Sequence, residues 1–485
     1  MGGRLYIATW LLGVASAAQG RTISLDEYLG QVRQANQSVR SATATVEASR
    51  LRENSSDLMF TPQFFSQYVQ QIDKKPKANL LEGKRLEAQQ LSLGVQKLWS
   101  FGLQSQLSYN LSDVFIDRDA VSPSLLAPGV PNPLVVFGKD SEYKEAQTKL
   151  ELVQSLWKNG FGDEYDLQRE SLQAKLSMQR AGEQYRMRAI LAQAEITYWK
   201  LALANEAVRT QQGSLARFQK IREWAARRVS MQLADRADLL QAEAGVKAKR
   251  YELELAQRDR ILAQRAFNTL RAATGDQVEG DLAPIPSRLL TEARPPQGGV
   301  KRLDVDVARA QEKVSELEVA QNRERFQPQL DLFGTVALNS EQESELGKAA
   351  GGAFTTEKPT YIVGIKIAMP LDRDLINQDR NGLVKASEAA RYDREQKEFQ
   401  ARQEWEELQR QLGDGRTRLQ LMLEIESAQK EKLDYEKQRF ERGRSTTFQI
   451  LQFENDYANA QLGAIKARTD ILEIMAKLKT FGDAL

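Results

Sequence analysis

The sequence contains no cysteine and no histidine. Their absence excludes disulfides, thiol nucleophiles, thiolate zinc sites and every mechanism that needs an imidazole, and with them a large share of hydrolase and zinc-enzyme chemistry. Without a cysteine near the expected cleavage site, no bacterial lipid anchor is expected either. An excess of one charge is also missing: 68 Lys and Arg against 66 Asp and Glu leave +2, so no nucleic-acid partner is expected. After the first residues, no run is apolar enough for a membrane-spanning helix.

What is present begins with a secretory signature. Arg4 supplies a positive charge, Leu5 to Val14 an apolar stretch and Ala15-Ser16-Ala17 a small-x-small cleavage site. Residues 1–17 are therefore expected to be removed as a signal peptide; an uncleaved anchor is the alternative, against which the shortness of the run argues. From Ser24 to about Met59 the pattern is helical, and the proline of Phe60-Thr61-Pro62-Gln63-Phe64 marks a switch to extended chain. Leu91, Leu93 and Val95, then Phe101, Leu103, Leu107, Tyr109 and Leu111, alternate with Gln, Ser, Asn and Gly. Such segments suit a membrane barrel with a wet interior, and a buried sandwich could also produce them. Asp113 to Glu142, with Pro123, Pro128, Pro131 and Pro133, reads as an exposed loop. Beyond it, Val153-Gln154-Ser155-Leu156-Trp157 echoes Val95-Gln96-Lys97-Leu98-Trp99.

From about Glu164 to Arg228 there is no proline. A single helix of about 65 residues, about 100 Å long, is expected, well beyond a globular domain. A break near Val229 to Ala237 is followed by a second helix to about Thr274, then by the proline-bearing linker 276–301. The programme then repeats. Arg302 to Leu330 aligns without a gap on Asn36 to Phe64, with Val39, Ala42, Ala44, Leu51, Phe60, Pro62 and Gln63 matching Val305, Ala308, Ala310, Leu317, Phe326, Pro328 and Gln329. Strands follow at Leu330 to Leu338 and Tyr361 to Met369, separated by a glycine-rich loop at Gly347 to Gly352, and a long helix from about Asp379. The first repeat thus covers 18–275, with strands at about 60–160 and helices at about 164–274; the second covers 302–485, with strands at about 328–372 and helices at about 379–481.

The clearest seam lies in the last helix. Tyr457, Ala460, Ala464, Ala467, Ile471, Ile474, Leu478 and Phe481 keep a three-four spacing, and Leu451, Ala458, Leu462, Ile465, Leu472 and Ala476 form a second line beside it. Two apolar lines require two helical neighbours.

With its duplicated layout, its Pro-Gln-Phe and Pro-Gln-Leu strand openers, Thr197 to Val208 (TYWKLALANEAV) and Arg439 to Ala467, the chain resembles the TolC-like outer-membrane efflux proteins from Ser24 to Phe481. The resemblance implies a mainly α fold with a transmembrane β-barrel, assembled as a homotrimeric α/β-barrel duct from the internal duplication. It implies an outer-membrane location reaching into the periplasm, contact with outer-membrane lipid, and a periplasmic adaptor and inner-membrane transporter as partners. The function implied is a passive channel of a multi-part efflux or type I secretion system, with no cofactor. The family's constriction maps onto Gln449 and Gln452, where carboxylates are usual, with Asp238, Arg442 and Arg444 nearby. Its adaptor-docking tips map onto Met231, Gln232 and Leu233 and onto Arg442, Gly443 and Arg444, with Gln232 in place of a glycine. The family usually has four strands per protomer, so the pair around Leu91 to Leu111 is extra: it either enlarges the barrel or forms a hairpin outside the membrane.

A structural or adhesive coiled-coil envelope protein would also explain the long helices and the export signal, though not the strands at equivalent points of both repeats. Catalysis is not expected: the acidic pairs Asp235 with Asp238 and Glu404 with Glu407 have the spacing of ordinary surface decoration.

Overall fold

The computed structural model describes residues 22–75, 85–117, 140–291, 300–343 and 345–482. The expected signal peptide, most of the 113–142 loop and part of the linker lie outside these residues. In chain order the elements are β1 (Thr22–Ile23), α1 (Leu25–Ala35), α2 (Gln37–Asn54), β2 (Gln63–Asp73), β3 (Arg85–Leu98), β4 (Leu103–Asp117), β5 (Asp140–Ser155), α3 (Asp163–Ser230) and α4 (Arg236–Leu270). There follow β6 (Asp281–Leu282), α5 (Ser287–Thr291), α6 (Leu303–Arg325), β7 (Gln329–Gln342), α7 (Leu346–Gly352), β8 (Pro359–Ala368), α8 (Arg373–Glu441) and α9 (Thr447–Leu478). They form two compact units, one of residues 1–47, 179–307 and 395–485 and one of residues 48–178 and 308–394.

The first unit is helical. Ser24 caps α1 by accepting from the Glu27 amide, and the run expected to Met59 breaks at Asn36, whose side chain accepts from the Ser38 and Val39 amides. The helix register therefore restarts at α2. Tyr28, Val32, Tyr198, Leu201 and Phe267 form one core, in which the Tyr28 and Phe267 rings stack at 3.9 Å. The Tyr28 hydroxyl donates to the Phe267 carbonyl and the Tyr198 hydroxyl to that of Ile23, so both phenols are buried with partners. The two lines on α9 face different neighbours. Ala467, Ile471, Ile474 and Leu478 pack with Phe481 against Ala401, Trp405 and Leu408 of α8. Ile465 and Leu472 pack instead in the Tyr28 core with α1 and α3. The linker is not structureless: β6 pairs in parallel with β1, and α5 follows.

The second unit is built on one six-stranded antiparallel sheet in the order β2-β3-β4-β5-β7-β8. The extra pair, β3 and β4, is hydrogen-bonded on both sides within it. The register aligns Phe64, Val95, Leu107, Leu150, Val336 and Tyr361 in one row across the sheet. The next row places Gln63, Gln96, Gln106, Glu151 and Thr335 on the opposite face. Several sequence boundaries change. β4 runs to Asp117 and β5 starts at Asp140, so the exposed-loop range loses both ends to the ladder; α8 starts at Arg373, earlier than expected. The glycine-rich 347–352 segment is the helix α7, not a loop: Ala349 and Ala353 are small enough to sit against Ala146, Tyr109 and Leu111, and the Tyr109 hydroxyl donates to the Ala350 carbonyl.

The tryptophan echo is real but out of phase. Trp99 follows β3 directly, whereas Trp157 lies two residues past the end of β5, so Val95 is on the apolar face and Val153 on the other. Between β5 and α3 the chain turns through Asn159, Phe161 and Gly162, all at positive φ. A Cβ at Gly162 would lie 1.9 Å from the Ser100 carbonyl oxygen, so only glycine fits. Glu324 of α6 accepts from the Asn159 amide at 2.6 Å and fixes this turn.

Candidate functional site

The α3–α4 and α8–α9 connections are the candidate tips, and both are built from the same backbone hydrogen bonds. After α3, the Gln232 amide donates to the Val229 carbonyl and the Leu233 amide to that of Arg228, a closure that requires a left-handed residue; Gln232 supplies it with φ 60°. After α8, the Gly443 amide donates to Phe440 and the Arg444 amide to Arg439, with Gly443 at φ 74°. In each turn the arginine before the break reaches back: Arg228 donates to the Leu233 carbonyl at 3.1 Å and Arg439 to that of Arg444 at 3.2 Å. Each second helix then has a polar cap. Asp235 accepts from the Ala237 amide, and Thr446 forms a reciprocal capping box with Gln449.

The side chains differ. Met231 and Leu233 are more than 60 % exposed and make the first turn apolar, whereas Arg442 and Arg444 are exposed and make the second basic. Gln449 and Gln452 are exposed on α9, but each amide has a local partner: Gln449 in the capping box and Gln452 donating to Asp456 at 2.9 Å. Asp238, in the first turn of α4, makes no ion pair with Arg442 or Arg444 among the described residues. The acidic pairs weighed for catalysis are engaged structurally. Asp235 is a helix cap, Glu404 takes Arg302, and Glu407 takes Gln411 and Arg410.

Beneath the turns lies a layer that the sequence reading missed. Phe218, Ile221, Ala225, Ala242, Val246, Leu433, Phe440, Ile450 and Leu451 pack together, with Trp224 against Phe440 at a ring separation of 3.9 Å. Gly245 allows the close approach: a Cβ there would come within 2.9 Å of the Phe218 ring. Into this layer α9 sends Glu454, only 2 % exposed, which accepts from the guanidinium of Arg217 on α3. Burial pushes the Glu454 carboxyl above its ordinary range, against the opposing pull of Arg217, Lys249 and Lys437, which come from the three other helices. Lys249 is equally buried, donates to Glu252 at 2.7 Å and lies over the Phe218 ring. In the sequence, Glu454 aligns with Glu243, which is only half-buried and 3.9 Å from Arg222; nothing local distinguishes the buried carboxylate from the solvent-accessible one.

The sheet unit carries a second candidate surface. Its apolar face exposes Phe64, Tyr68, Leu107, Val336, Tyr361, Val363, Ile365 and Ile367, and Trp99 and Trp157 are exposed at one end. The opposite face is rich in amides, with Gln96 donating to Gln63 at 2.9 Å and Gln147 to Asn339 at 2.8 Å. No helix among the described residues is long and apolar enough to cross a membrane.

No curated protein matches the chain. The outer membrane efflux protein family matches residues 299–481, the second repeat. The fold is shared with the outer-membrane channel OprN at 16 % identity and a TM-score of 0.65, over 94 % of this chain and 89 % of that one. It is likewise similar to the outer membrane protein VceC of Vibrio cholerae (14 %, 0.63, 94 % and 95 %) and the CmeC outer membrane channel of Campylobacter jejuni (12 %, 0.63, 94 % and 84 %). The likeness to TolC-like outer-membrane efflux proteins therefore holds in sequence over the second repeat and in fold over nearly the whole chain.

Proposed function

We propose that the protein is the outer-membrane channel of a multi-part efflux or type I secretion system, a passive duct whose energy comes from an inner-membrane transporter reached through a periplasmic adaptor. The observation that carries this reading is the sheet. One face exposes apolar side chains on each of the six strands, with α7 lying over Ala146, Tyr109 and Leu111 of that face, and the other is rich in amides and hydroxyls, with Val69 and Ile362 among them. In water such a sheet would bury its apolar face; in a bilayer that face meets lipid, and the amide face lines an aqueous lumen. Trp99 and Trp157 suit the bilayer–water boundary at the end nearer the long helices.

In this reading a signal peptide directs export, three copies assemble, and the two turns form the periplasmic tips. Gln449 and Gln452 ring the constriction with Asp238, Arg442 and Arg444 close by. An uncharged glutamine ring holds cations weakly, so the aperture would pass solutes with little charge preference. The turns at Met231, Gln232 and Leu233 and at Arg442, Gly443 and Arg444 offer an adaptor one apolar and one basic contact.

Cell fractionation tests the reading. The full-length protein is expected in the outer membrane, as a species that migrates as a trimer before heating and as a monomer after. A soluble rod in the periplasm or at the cell surface would overturn it and favour the adhesive coiled coil.

A further inference from the structure

The two free edges of the sheet, β2 and β8, are its least protected feature. Edge strands that face water are usually blunted by charge, bulges or proline. Here Pro359 opens β8 and Ser66 and Gln70 interrupt the apolar side of β2, yet that side still reaches both rims: Phe64, Tyr68 and Ile72 on β2 and Tyr361, Val363, Ile365 and Ile367 on β8 are each more than half exposed. The two charges on these strands that face away from lipid in the proposed reading, Asp73 and Lys366, lie on the opposite face. Lipid offers no hydrogen bonds to a strand edge, so both edges need partners.

The partner is a second copy of this chain. Six strands are too few to close alone into a membrane barrel, the smallest of which have about eight. All neighbours are antiparallel and the strand count is even, so β2 and β8 run in opposite directions, and β8 of one copy adds to β2 of the next in the same antiparallel sense.

The inserted pair belongs to the wall. Leu91, Leu93 and Val95 of β3 and Leu107 and Leu111 of β4 continue the apolar rows of β2 and β5, while Gln90, Gln96, Gln104 and Gln106 continue the amide face. A hairpin projecting from the membrane has no reason to keep both faces in phase with its neighbours.

We propose that three copies of this six-stranded sheet close, through β2–β8 contacts, into one eighteen-stranded barrel. The count of three rests on the channel reading above. At a strand spacing of about 4.8 Å and a tilt of about 40°, eighteen strands give a backbone diameter of about 36 Å, against about 24 Å for twelve. A lumen of that width does not filter cargo by size, which leaves sieving to the helical tips.

The absence of native cysteine makes the closure directly testable. Ser66→Cys or Gln70→Cys on β2 is combined with Tyr361→Cys, Val363→Cys or Ile365→Cys on β8 in the full-length protein, oxidised in outer membranes and run on a denaturing gel. At the matching register a ladder ending at three copies is expected, since opposed strand positions bring Cβ atoms within disulfide reach. A monomer carrying an internal disulfide, a ladder ending at two copies, or no cross-link at any pairing overturns the proposal. Electron cryomicroscopy of the purified cysteine-free protein supplies the count independently: eighteen strands in cross-section support it, and twelve overturn it. Protein that reaches the outer membrane as a heat-sensitive trimer but fails these tests refutes the strand count alone; a ladder ending at two copies, or protein absent from the outer membrane, refutes the channel reading with it.

Discussion

The α3–α4 and α8–α9 turns share a backbone and differ in nearly everything else. Both close with an amide reaching five residues back, both place one residue in the left-handed region, and both are recapped by an arginine from the preceding helix. On that common frame one turn has Gln232 where the other has Gly443, Leu233 where the other has Arg444, and Asp238 where the other has Gln449. The main-chain hydrogen bonds are the same because an unsatisfied helix end is costly in any context. Exposed side chains carry no such cost and differ.

The contrast is sharpest beneath the turns, and there the largest effect is expected. Arg217→Ala strands the buried Glu454 carboxylate and should lower stability by about 2–3 kcal/mol, moderated because Arg217 is itself partly exposed. The counterpart change at the exposed pair, Arg222→Ala opposite Glu243, should stay within about 0.5 kcal/mol. Urea unfolding of the purified protein reads both; equal losses would show that the two repeats are not differentiated in this way. The same residue sets a pH dependence. Burial raises the Glu454 pKa above its ordinary 4.5, so the native state holds the proton more tightly than the unfolded chain. Its contribution is fully present below pH 4.5 and is lost as pH rises through the folded value. Glu454→Gln should flatten that part of the stability profile.

A smaller effect separates the turns themselves. Gly443→Gln forces a side chain into the left-handed region and should cost about 1 kcal/mol. Gln232→Gly relieves the same strain but loosens the unfolded chain, for a net gain of about 0.5 kcal/mol. Opposite signs in the urea midpoints would confirm that the turns are geometrically equivalent; two losses would mean that the Gln232 side chain has a contact that the turn needs.

Much of this was legible in the sequence because it is periodic. The two lines of α9 name two helical neighbours, and α8 and the Tyr28 core are those neighbours. Alternation from Leu91 to Leu111 marks strands whose residues do fall on opposite faces. What escaped depends on contacts between distant segments or on a shift of one residue. The β1–β6 bridge is two residues long and joins the start of the first helix region to the linker more than two hundred residues later. The burial of Glu454 depends on Arg217, more than two hundred residues away. The echo of Val95 in Val153 is displaced by a single position, enough to turn a side chain to the other face. A glycine-rich stretch reads as a loop, yet small residues are also what lets α7 lie close against Ala146.

Planar-bilayer recording of the purified full-length protein, alone and with Gln449→Asp and Gln452→Asp, tests most directly the proposed conducting outer-membrane duct with an aperture ringed by Gln449 and Gln452. Discrete channel openings with weak ion preference are expected in the wild type, and a clear rise in cation preference in the double variant. Absence of openings would contradict the duct, and openings with unchanged selectivity would contradict the placement of the glutamines at its constriction.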